Sequence, residues 1–301
     1  MFILIINTDR KGNMFSIVLV CLDNFQEYII NCIKQLIRLG HTQIYIITNN
    51  YLFSYFDTFG KHIQLISVES LEDPFQFQLR SKLDRDFRGG FWHLTSSRFF
   101  VIHAFMKQYN IEKVIHLEND VLIYYNCDEI LTMSIIDKTE IYLPFDSYKK
   151  SVASIMYIPD ATILGKVLEN YDIEKNDMYN FSIARENNLI RGFPIWIIDD
   201  NDNIDINHER QFVSENANEF YGFIFDAAAI GQYVGGVDPR NIDGDTRGFI
   251  NEECVIKYGN EGTIIWETQE IKRPYFIRNS NHNKIPVFNL HIHSKNLAEY
   301  M

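Results

Sequence analysis

The N-terminal part of the chain contains a pattern that few folds can accommodate: an apolar strand, an amphipathic helix and a second apolar strand. Ser16–Cys21 is an apolar run, and Gln26–Leu39 carries apolar residues at helical spacing before Gly40 ends it. Gln43–Thr48 and Ile63–Val68 have the character of the next two strands. A strand, a helix and a strand within about thirty residues form a βαβ unit with parallel strands. The pattern therefore predicts an α/β fold with a parallel sheet.

The rest of the chain continues this pattern. Strands are expected near 113–124, 141–144 and 154–158, helices over 95–109, 161–170 and 225–234, and a polar loop over 75–90. No internal repeat or linker divides the 301 residues, so we expect one domain. The sequence has no Gly-x-Gly-x-x-Gly motif after the first strand, no phosphate-binding P-loop and no Gly-x-Ser-x-Gly elbow. These absences argue against the usual dinucleotide-binding, P-loop and serine-hydrolase sites.

The charge of the chain limits its partners. A formal net charge of -12 argues against a general nucleic-acid-binding protein, which needs a basic face. It does not argue against a nucleotide substrate, because a bound metal ion supplies positive charge locally. The oligomeric state stays open, with a homo-oligomer as one alternative.

The sequence also suggests where the protein resides. Its cysteines, Cys21, Cys32, Cys127 and Cys254, form no Cys-x-x-Cys pair, and we interpret them as reduced, mostly buried thiols. Met1–Asn7 is apolar but too short for a signal peptide. No apolar run reaches the roughly 18 residues needed for a membrane span. We therefore expect a cytoplasmic protein without a membrane-spanning segment.

Two acids and an amide directly follow a predicted buried strand. Within 113–124 the apolar run is interrupted by Glu118, Asn119 and Asp120. Ligands of open α/β sheets collect at the carboxyl ends of the strands, and carboxylates there suit Mg²⁺ or Mn²⁺. We expect Asp120 to bind the cation, Glu118 to assist through water or a ribose, and Asn119 to point away from the ion. The alternative is a solvated turn.

A second candidate element lies near the C-terminus. The tail alternates from Phe288 onward, which places His291 and His293 on one face of a strand, next to Lys295. A neutral imidazole can complete a carboxylate metal site, and a lysine can pair with a diphosphate. The alternative is a pair of surface histidines.

Arg98 and Asp226 are candidates with equally simple structural explanations. Arg98 lies on the predicted helix before the acidic strand, where a solvated arginine is common. Asp226 begins the predicted helix 225–234, where an N-cap aspartate is expected. Its functional interpretation is a base or a group that holds a sugar hydroxyl. The polar run Asp199–Asn203 is predicted to be a surface loop, and an EF-hand calcium loop is disfavoured there because the glycine and the terminal glutamate of that motif are missing.

Taken together, these segments resemble the glycosyltransferases of the GT-A fold. Glu118–Asp120 is similar to their Asp-x-Asp triplet, with glutamate in the first position. His291–Lys295 resembles their C-terminal metal and phosphate element. Phe225–Gly231 is similar in placement to the Asp-Gln-Asp helix of the glycogenin-like family, without the glutamine and the second aspartate. Gly231–Tyr233 with Gly235–Pro239 looks like the glycosyltransferases of giant DNA viruses, which would place the protein in the host cytoplasm.

The resemblance implies a GT-A-like domain with a mostly parallel twisted sheet and helices on both faces. Residues 14–126 would form the nucleotide-binding half, and residues 127–301 the half that binds the acceptor and completes the metal site. The implied reaction is metal-dependent transfer of a sugar from a nucleoside diphosphate donor, a UDP-sugar first of all, to a hydroxyl of a glycan or protein. Mn²⁺ or Mg²⁺ would neutralise the leaving diphosphate.

The resemblance also implies roles for individual residues. The cation would lie between Asp120 and a tail histidine, with Arg98 and Lys295 adding positive charge. Residues at the ends of the first strands, together with the acidic turn, would bind the nucleotide: Val20, Cys21, Leu22, Asn49, Asn50, Glu118 and Asn119. Asp226 would act at the sugar, and the segments 235–236 and 243–247 would border the acceptor.

Two other functions stay open at this point. A nucleotidyltransferase would share the sheet and the carboxylate-bound metal. It would need basic residues in the first loop to hold a triphosphate, and Leu22–Gln26 contains none. A non-catalytic glycan-binding protein could use the same scaffold without releasing any nucleotide.

Overall fold

The computed structural model of the chain describes residues 15–135, 138–198, 208–236 and 253–301. Its strands are β1 (Ser16–Cys21), β2 (Ile44–Thr48), β3 (Gln64–Ser67), β4 (Val114–Leu117), β5 (Val121–Ile123), β6 (Ile141–Ser147), β7 (Lys150–Ser151), β8 (Ile155–Ile158), β9 (Ile190–Phe193), β10 (Gly262–Thr268), β11 (Lys272–Arg278), β12 (Lys284–Pro286) and β13 (Asn289–His291).

The α-helices are α1 (Ile29–Arg38), α2 (Phe77–Arg80), α3 (Phe91–Tyr109), α4 (Cys127–Ile130), α5 (Thr132–Ile135), α6 (Ala161–Glu169), α7 (Asp177–Glu186), α8 (His208–Val213) and α9 (Tyr258–Glu261). Short 3-10 helices cover Asn50–His62, Val68–Ser70, Gly231–Tyr233 and Leu297–Tyr300. Among the described residues, no helix combines the length and the apolar character needed to cross a membrane.

The central sheet has the order β3-β2-β1-β4-β8-β6-β7, with β9 paired to β6. The pairs β3/β2, β2/β1, β1/β4 and β6/β9 are parallel, whereas β8 runs against β4 and β6. Every residue of β1, β2, β4 and β8 is buried, so both faces of these strands are covered. The predicted α/β class with a mostly parallel sheet is confirmed.

The strand predicted over 113–124 is two strands that belong to different sheets. β4 ends at Leu117, and Glu118–Asp120 turn the chain, with the amide of Val121 donating to the carbonyl of Glu118 at 3.1 Å. β5 then pairs antiparallel with β13 in a separate two-stranded sheet. This change of partner brings the C-terminal tail against the acidic turn.

The prediction of a helix over 225–234 is wrong, because the segment forms bends followed by the short 3-10 helix Gly231–Tyr233. Ala228 has a φ of 55°, a left-handed backbone value that no continuing α-helix permits. The polar loop predicted over 75–90 contains the short helix α2, whose first amide donates to Asp73 Oδ2 at 2.6 Å. α3 begins at Phe91, before the predicted start at Thr95.

Several other expectations meet different outcomes. Cys21, Cys32, Cys127 and Cys254 are buried and form no disulfide, as predicted. Three predicted segments lie outside the described residues: the apolar N-terminus, the polar run 199–203 and the loop 243–247.

Candidate active site

The acidic turn lies at the carboxyl end of β4, beside the end of β1. The register pairs Val18 with His116, so the two parallel strands end at the same edge of the sheet. Asp120 is only 7% exposed, and the amide of Glu118 donates to the carbonyl of Ser154 at 3.0 Å. The turn is therefore held within the fold, which disagrees with the alternative of a solvated turn.

β13 delivers His291 to this turn. His291 pairs with Val121, and the amide of Ile292 donates to the carbonyl of Asp120 at 3.0 Å. As a result, His291 Nε2 lies 3.1 Å from Asp120 Oδ2 and 3.2 Å from Glu118 Oε2. Residues that are far apart in sequence thus present two carboxylates and an imidazole to one point.

The donor chemistry of this cluster fits a divalent cation. One donor atom each from Glu118, Asp120 and His291 lies within 4.8 Å of the others. Carboxylate oxygens suit Mg²⁺ and Mn²⁺, and an imidazole nitrogen suits Mn²⁺ and other transition metals. Other groups of three potential metal ligands were not found among the described residues.

Two cations, Lys295 and Arg98, form ion pairs with the carboxylates of the site. Lys295 Nζ bonds Asp120 Oδ2, and Arg98 bonds Glu118 through one nitrogen and Asp177 Oδ2 through the other, the latter at 2.9 Å. Burial by itself raises the pKa of Asp120, but the neighbouring His291 and Lys295 outweigh burial and hold that pKa well below its usual range.

The same neighbours act on the other members of the cluster. Burial raises the pKa of Glu118, but Arg98 outweighs it, and the pKa is lowered. Burial lowers the pKa of His291, but Asp120 and Glu118 outweigh it, and the pKa is raised. The cluster therefore keeps both carboxylates ionised.

Arg98 is not the solvated helix residue that was one alternative. It is 7% exposed and lies in the middle of α3, with its guanidinium between the two carboxylates. Its side chain also lies over the ring of Phe99, 4.6 Å from the centroid. Arg98 therefore positions Glu118 and Asp177 relative to each other.

Asp177 is a site residue that the sequence analysis missed. It is the first residue of α7, is 4% exposed and comes from a segment 79 residues after Arg98. Burial raises its pKa, against the opposing effect of Arg98. Its position at a helix start resembles ordinary capping, because Asn176 accepts from the amide of Tyr179. The local sequence therefore gave no signal for it.

A cavity of about 530 Å³ opens over this cluster. Most of the predicted site residues line it: Val20, Leu22, Arg98, Glu118, Asn119, Asp120, His291, His293 and Lys295. Its walls also include residues that were not predicted, namely Asn24, Phe25, Gln26, Tyr28, Phe91, Trp92, His116, Lys150, Met178 and Asp177. It therefore joins charged groups with aromatic side chains, as ligand sites commonly do.

Asn119 points toward the end of β1, on the side away from the histidine. Its amide nitrogen donates to the carbonyl of Val20 at 2.7 Å and to Gln26 Oε1 at 2.6 Å. His293 lies beyond the end of β13, in a turn and not on the strand face predicted for it, and its ring centroid is 4.7 Å from that of His291. His291 is the histidine that contacts both carboxylates.

Three residues expected to line the nucleotide pocket do not border the cavity. The thiol of Cys21 donates to the carbonyl of Asn24 at 3.4 Å. Asn49 accepts from the amide of Asp23 at 2.8 Å and donates to Glu69 at 3.1 Å, and the amide of Asn50 also donates to Glu69. The side chain of Asn49 thus ties the loop after β2 to the loop after β1 and to Glu69, which explains its place at the strand end.

Asp226 is completely buried and does not border the cavity. Its Oδ1 accepts from the amides of Ala229 and Ile230, each at 2.8 Å. Its Oδ2 accepts from the amides of Gly231 at 2.8 Å and His291 at 2.9 Å. A carboxylate has about four lone-pair positions, so this one has none left for a substrate. The geometry corresponds to the capping alternative, extended to the backbone of the histidine strand.

Comparisons with known proteins give similarities of fold only. No protein-family model and no curated protein matches the sequence. Mouse xyloside xylosyltransferase 1 matches with a TM-score of 0.43 and 11% identity, over 60% of this chain and 85% of that one. The glycosyltransferase GlyE of Streptococcus pneumoniae matches with a TM-score of 0.39 and 14% identity, over 59% of this chain and 44% of that one. A cytidylyltransferase of Leptospira borgpetersenii matches with a TM-score of 0.40 and 11% identity, over 60% of this chain and 76% of that one.

Proposed function

We propose that the protein is a metal-dependent glycosyltransferase that uses a nucleoside diphosphate sugar, with a UDP-sugar as the first donor to test. The observation that carries this proposal is the cluster of Glu118, Asp120 and His291, with Lys295 beside it, at the wall of a cavity of about 530 Å³. A diphosphate needs concentrated positive charge, and a cation held by this cluster together with a lysine would supply it.

We assign a separate role to each residue of the cluster. Asp120, Glu118 and His291 would hold Mn²⁺ or Mg²⁺, which stabilises the negative charge that develops on the leaving diphosphate. Lys295 would pair with the same diphosphate. Arg98 keeps Glu118 oriented, because its guanidinium bonds that carboxylate from the side opposite His291.

The two ends of the cavity suit the two ends of the donor. Leu22 and Gln26 in the loop after β1, together with Asn119, form the wall where we place the base and ribose. Asp177 lies at the other side of Arg98 and also lines the cavity. We place the transferred sugar there, with Asp177 accepting from a hydroxyl, instead of at Asp226.

The loop after β1 favours sugar transfer over nucleotidyl transfer. Leu22, Asn24, Phe25 and Gln26 line the cavity, and none of them could neutralise a triphosphate. We therefore expect a diphosphate donor and a hydroxyl of a glycan or protein as acceptor.

The test is a thermal-shift screen of nucleoside diphosphate sugars and nucleoside triphosphates, each with and without Mn²⁺. A ligand that binds the native state raises its stability by RT ln(1 + [L]/Kd), so the donor is identified by its shift. We expect one nucleoside diphosphate sugar to shift the melting temperature only with Mn²⁺, and to be hydrolysed slowly to the diphosphate.

Asp120→Ala should abolish both the shift and the hydrolysis while the protein stays folded. Glu112→Ala, which removes an exposed carboxylate before β4, is the matched control and should behave as wild type. A response to triphosphates alone would favour the nucleotidyltransferase. Binding of glycans without any nucleotide response would favour the non-catalytic protein, and an Asp120→Ala variant with full activity would exclude this site.

A further inference from the structure

Lys295 bonds an oxygen atom that would bind the metal in the candidate cation site. Its Nζ bonds Asp120 Oδ2, which is the same oxygen that lies 3.1 Å from His291 Nε2. The lysine side chain is 14% exposed and the aspartate side chain 10%, so the pair is largely shielded from water. A divalent cation bound to Asp120 Oδ2 would lie next to this ammonium, and the two positive charges would repel each other.

The two cations of the site are held differently. Arg98 is held by two carboxylates, Glu118 and Asp177, and is embedded in α3. Lys295 follows β13 at a left-handed backbone position with a φ of 61°, and its Nζ lies 5.5 Å from the ring centroid of Tyr28, which lines the cavity. A lysine ammonium on a flexible four-carbon stem can turn toward the cavity without any change of the backbone.

The charge of the cluster makes such a movement useful. The carboxylates of Glu118, Asp120 and Asp177 carry three formal negative charges, and the paired Arg98 and Lys295 carry two positive charges, which leaves one net negative charge among these ion pairs. A divalent cation alone would turn this into one net positive charge in a buried site, which is unfavourable. A nucleoside diphosphate that arrives with the cation would restore the balance and would give the displaced ammonium a new partner.

We propose that Lys295 is the resident counter-ion of Asp120, displaced by the divalent cation and then bound by the diphosphate. This inference rests on the proposed function, and it adds that cation and nucleotide bind cooperatively because of Lys295. By linkage, the factor by which the nucleotide improves cation binding equals the factor by which the cation improves nucleotide binding.

The experiment measures Mn²⁺ affinity directly, by isothermal titration calorimetry and by the loss of the free Mn²⁺ electron paramagnetic resonance signal. Wild type and Lys295→Met are each titrated with Mn²⁺ alone and with Mn²⁺ in the presence of saturating UDP. We expect Lys295→Met to bind Mn²⁺ alone about tenfold more tightly than wild type, and the improvement caused by UDP to fall by about tenfold or more.

Two further variants separate the contact from the general charge. Lys150→Met removes another lysine of the same cavity, one that pairs with Asp146 at 3.3 Å, and should change the affinity for Mn²⁺ by less than about threefold. Lys295→Arg keeps the charge and should restore cooperative binding at least in part. Thermal unfolding of each variant verifies that it is folded.

The outcomes are distinct. Equal or weaker binding of Mn²⁺ alone by folded Lys295→Met, with binding lost in Asp120→Ala, overturns the counter-ion role and leaves the metal site in place. Equal gains in Lys150→Met and Lys295→Met also overturn it, because the effect would then be one of net charge. Absence of Mn²⁺ binding by wild type and by Lys295→Met, with and without UDP, overturns the proposed function as well.

Discussion

Asp226→Asn distinguishes a structural from a catalytic aspartate, and its effect can be worked out from the hydrogen bonds. The carboxylate accepts from four backbone amides at 2.8 to 2.9 Å, two on each oxygen. Asparagine keeps one acceptor oxygen and replaces the other with an amino group, so two amides lose their partner. A hydrogen bond to a charged group contributes about 1.5–3 kcal/mol, which gives a loss of about 3–6 kcal/mol.

This loss is large compared with the stability of most proteins, about 5–15 kcal/mol. Urea unfolding, followed by the fluorescence of Trp92, Trp196 and Trp266, measures it. With a slope of about 3 kcal/mol per molar urea, the midpoint should fall by about 1–2 M. Ser154→Ala is the graded control, because it removes one hydrogen bond to the carbonyl of Asp226 and should cost about 1 kcal/mol.

The structural and catalytic roles predict opposite combinations of results. If Asp226 organises the bends at 227–230 and the backbone of His291, Asp226→Asn loses stability in the absence of any substrate. A variant with the urea midpoint of wild type and with transfer reduced by more than about a hundredfold would refute the reasoning and restore the aspartate as a base.

Two further predictions concern buried charge. Arg98→Met should destabilise the protein by about 3–5 kcal/mol, because Glu118 and Asp177 would remain buried without their cation. Urea unfolding of Arg98→Met/Asp177→Asn should recover part of the loss, and additive losses would contradict the shared network. Burial lowers the pKa of His41 to about 4, below the value of about 6.5 in the unfolded chain, so the unfolded state takes up the proton and stability falls as the pH drops below 6.5. Protonation of this one group should lower the free energy of unfolding of the wild-type protein by about 2 kcal/mol at pH 5. Between pH 7.5 and pH 5, His41→Gln should therefore lose about 2 kcal/mol less stability than wild type, and an equal loss in both proteins would contradict the prediction.

Local patterns predicted the parallel half of the fold well. β1 matches its predicted bounds, and α1 and β2 differ from theirs by a few residues, because each is specified by its own apolar spacing. The segment 225–234 was not predictable in the same way. Its three alanines favour a helix, but Asp226 accepts from amides on both Gly231 and His291, and this tertiary arrangement overrides the local preference.

In the candidate site, too, some residues could be predicted from local sequence and others depend on tertiary contacts. Asp120 and His291 were predicted from residue type and strand position, and the structure brings them to 3.1 Å. Asp177 was not, because nothing near a helix start indicates that an arginine 79 residues earlier will bond it. Asn49 was expected at the nucleotide from its strand-end position, but that position serves equally well to tie loops together.

The pairing of β5 with β13 has a consequence for how the protein matures. It joins Asp120 to a histidine 171 residues later, so the acidic turn leaves the ribosome long before its partner. Closing so long a loop is slow compared with forming a βαβ unit, and domains begin to fold from the N-terminal side during synthesis. The parallel sheet can therefore form around an incomplete site, with Glu118 and Asp120 facing water until the last strand docks. A newly made chain therefore passes through a stage in which its core is folded and the cluster of Glu118, Asp120 and His291 is not yet assembled.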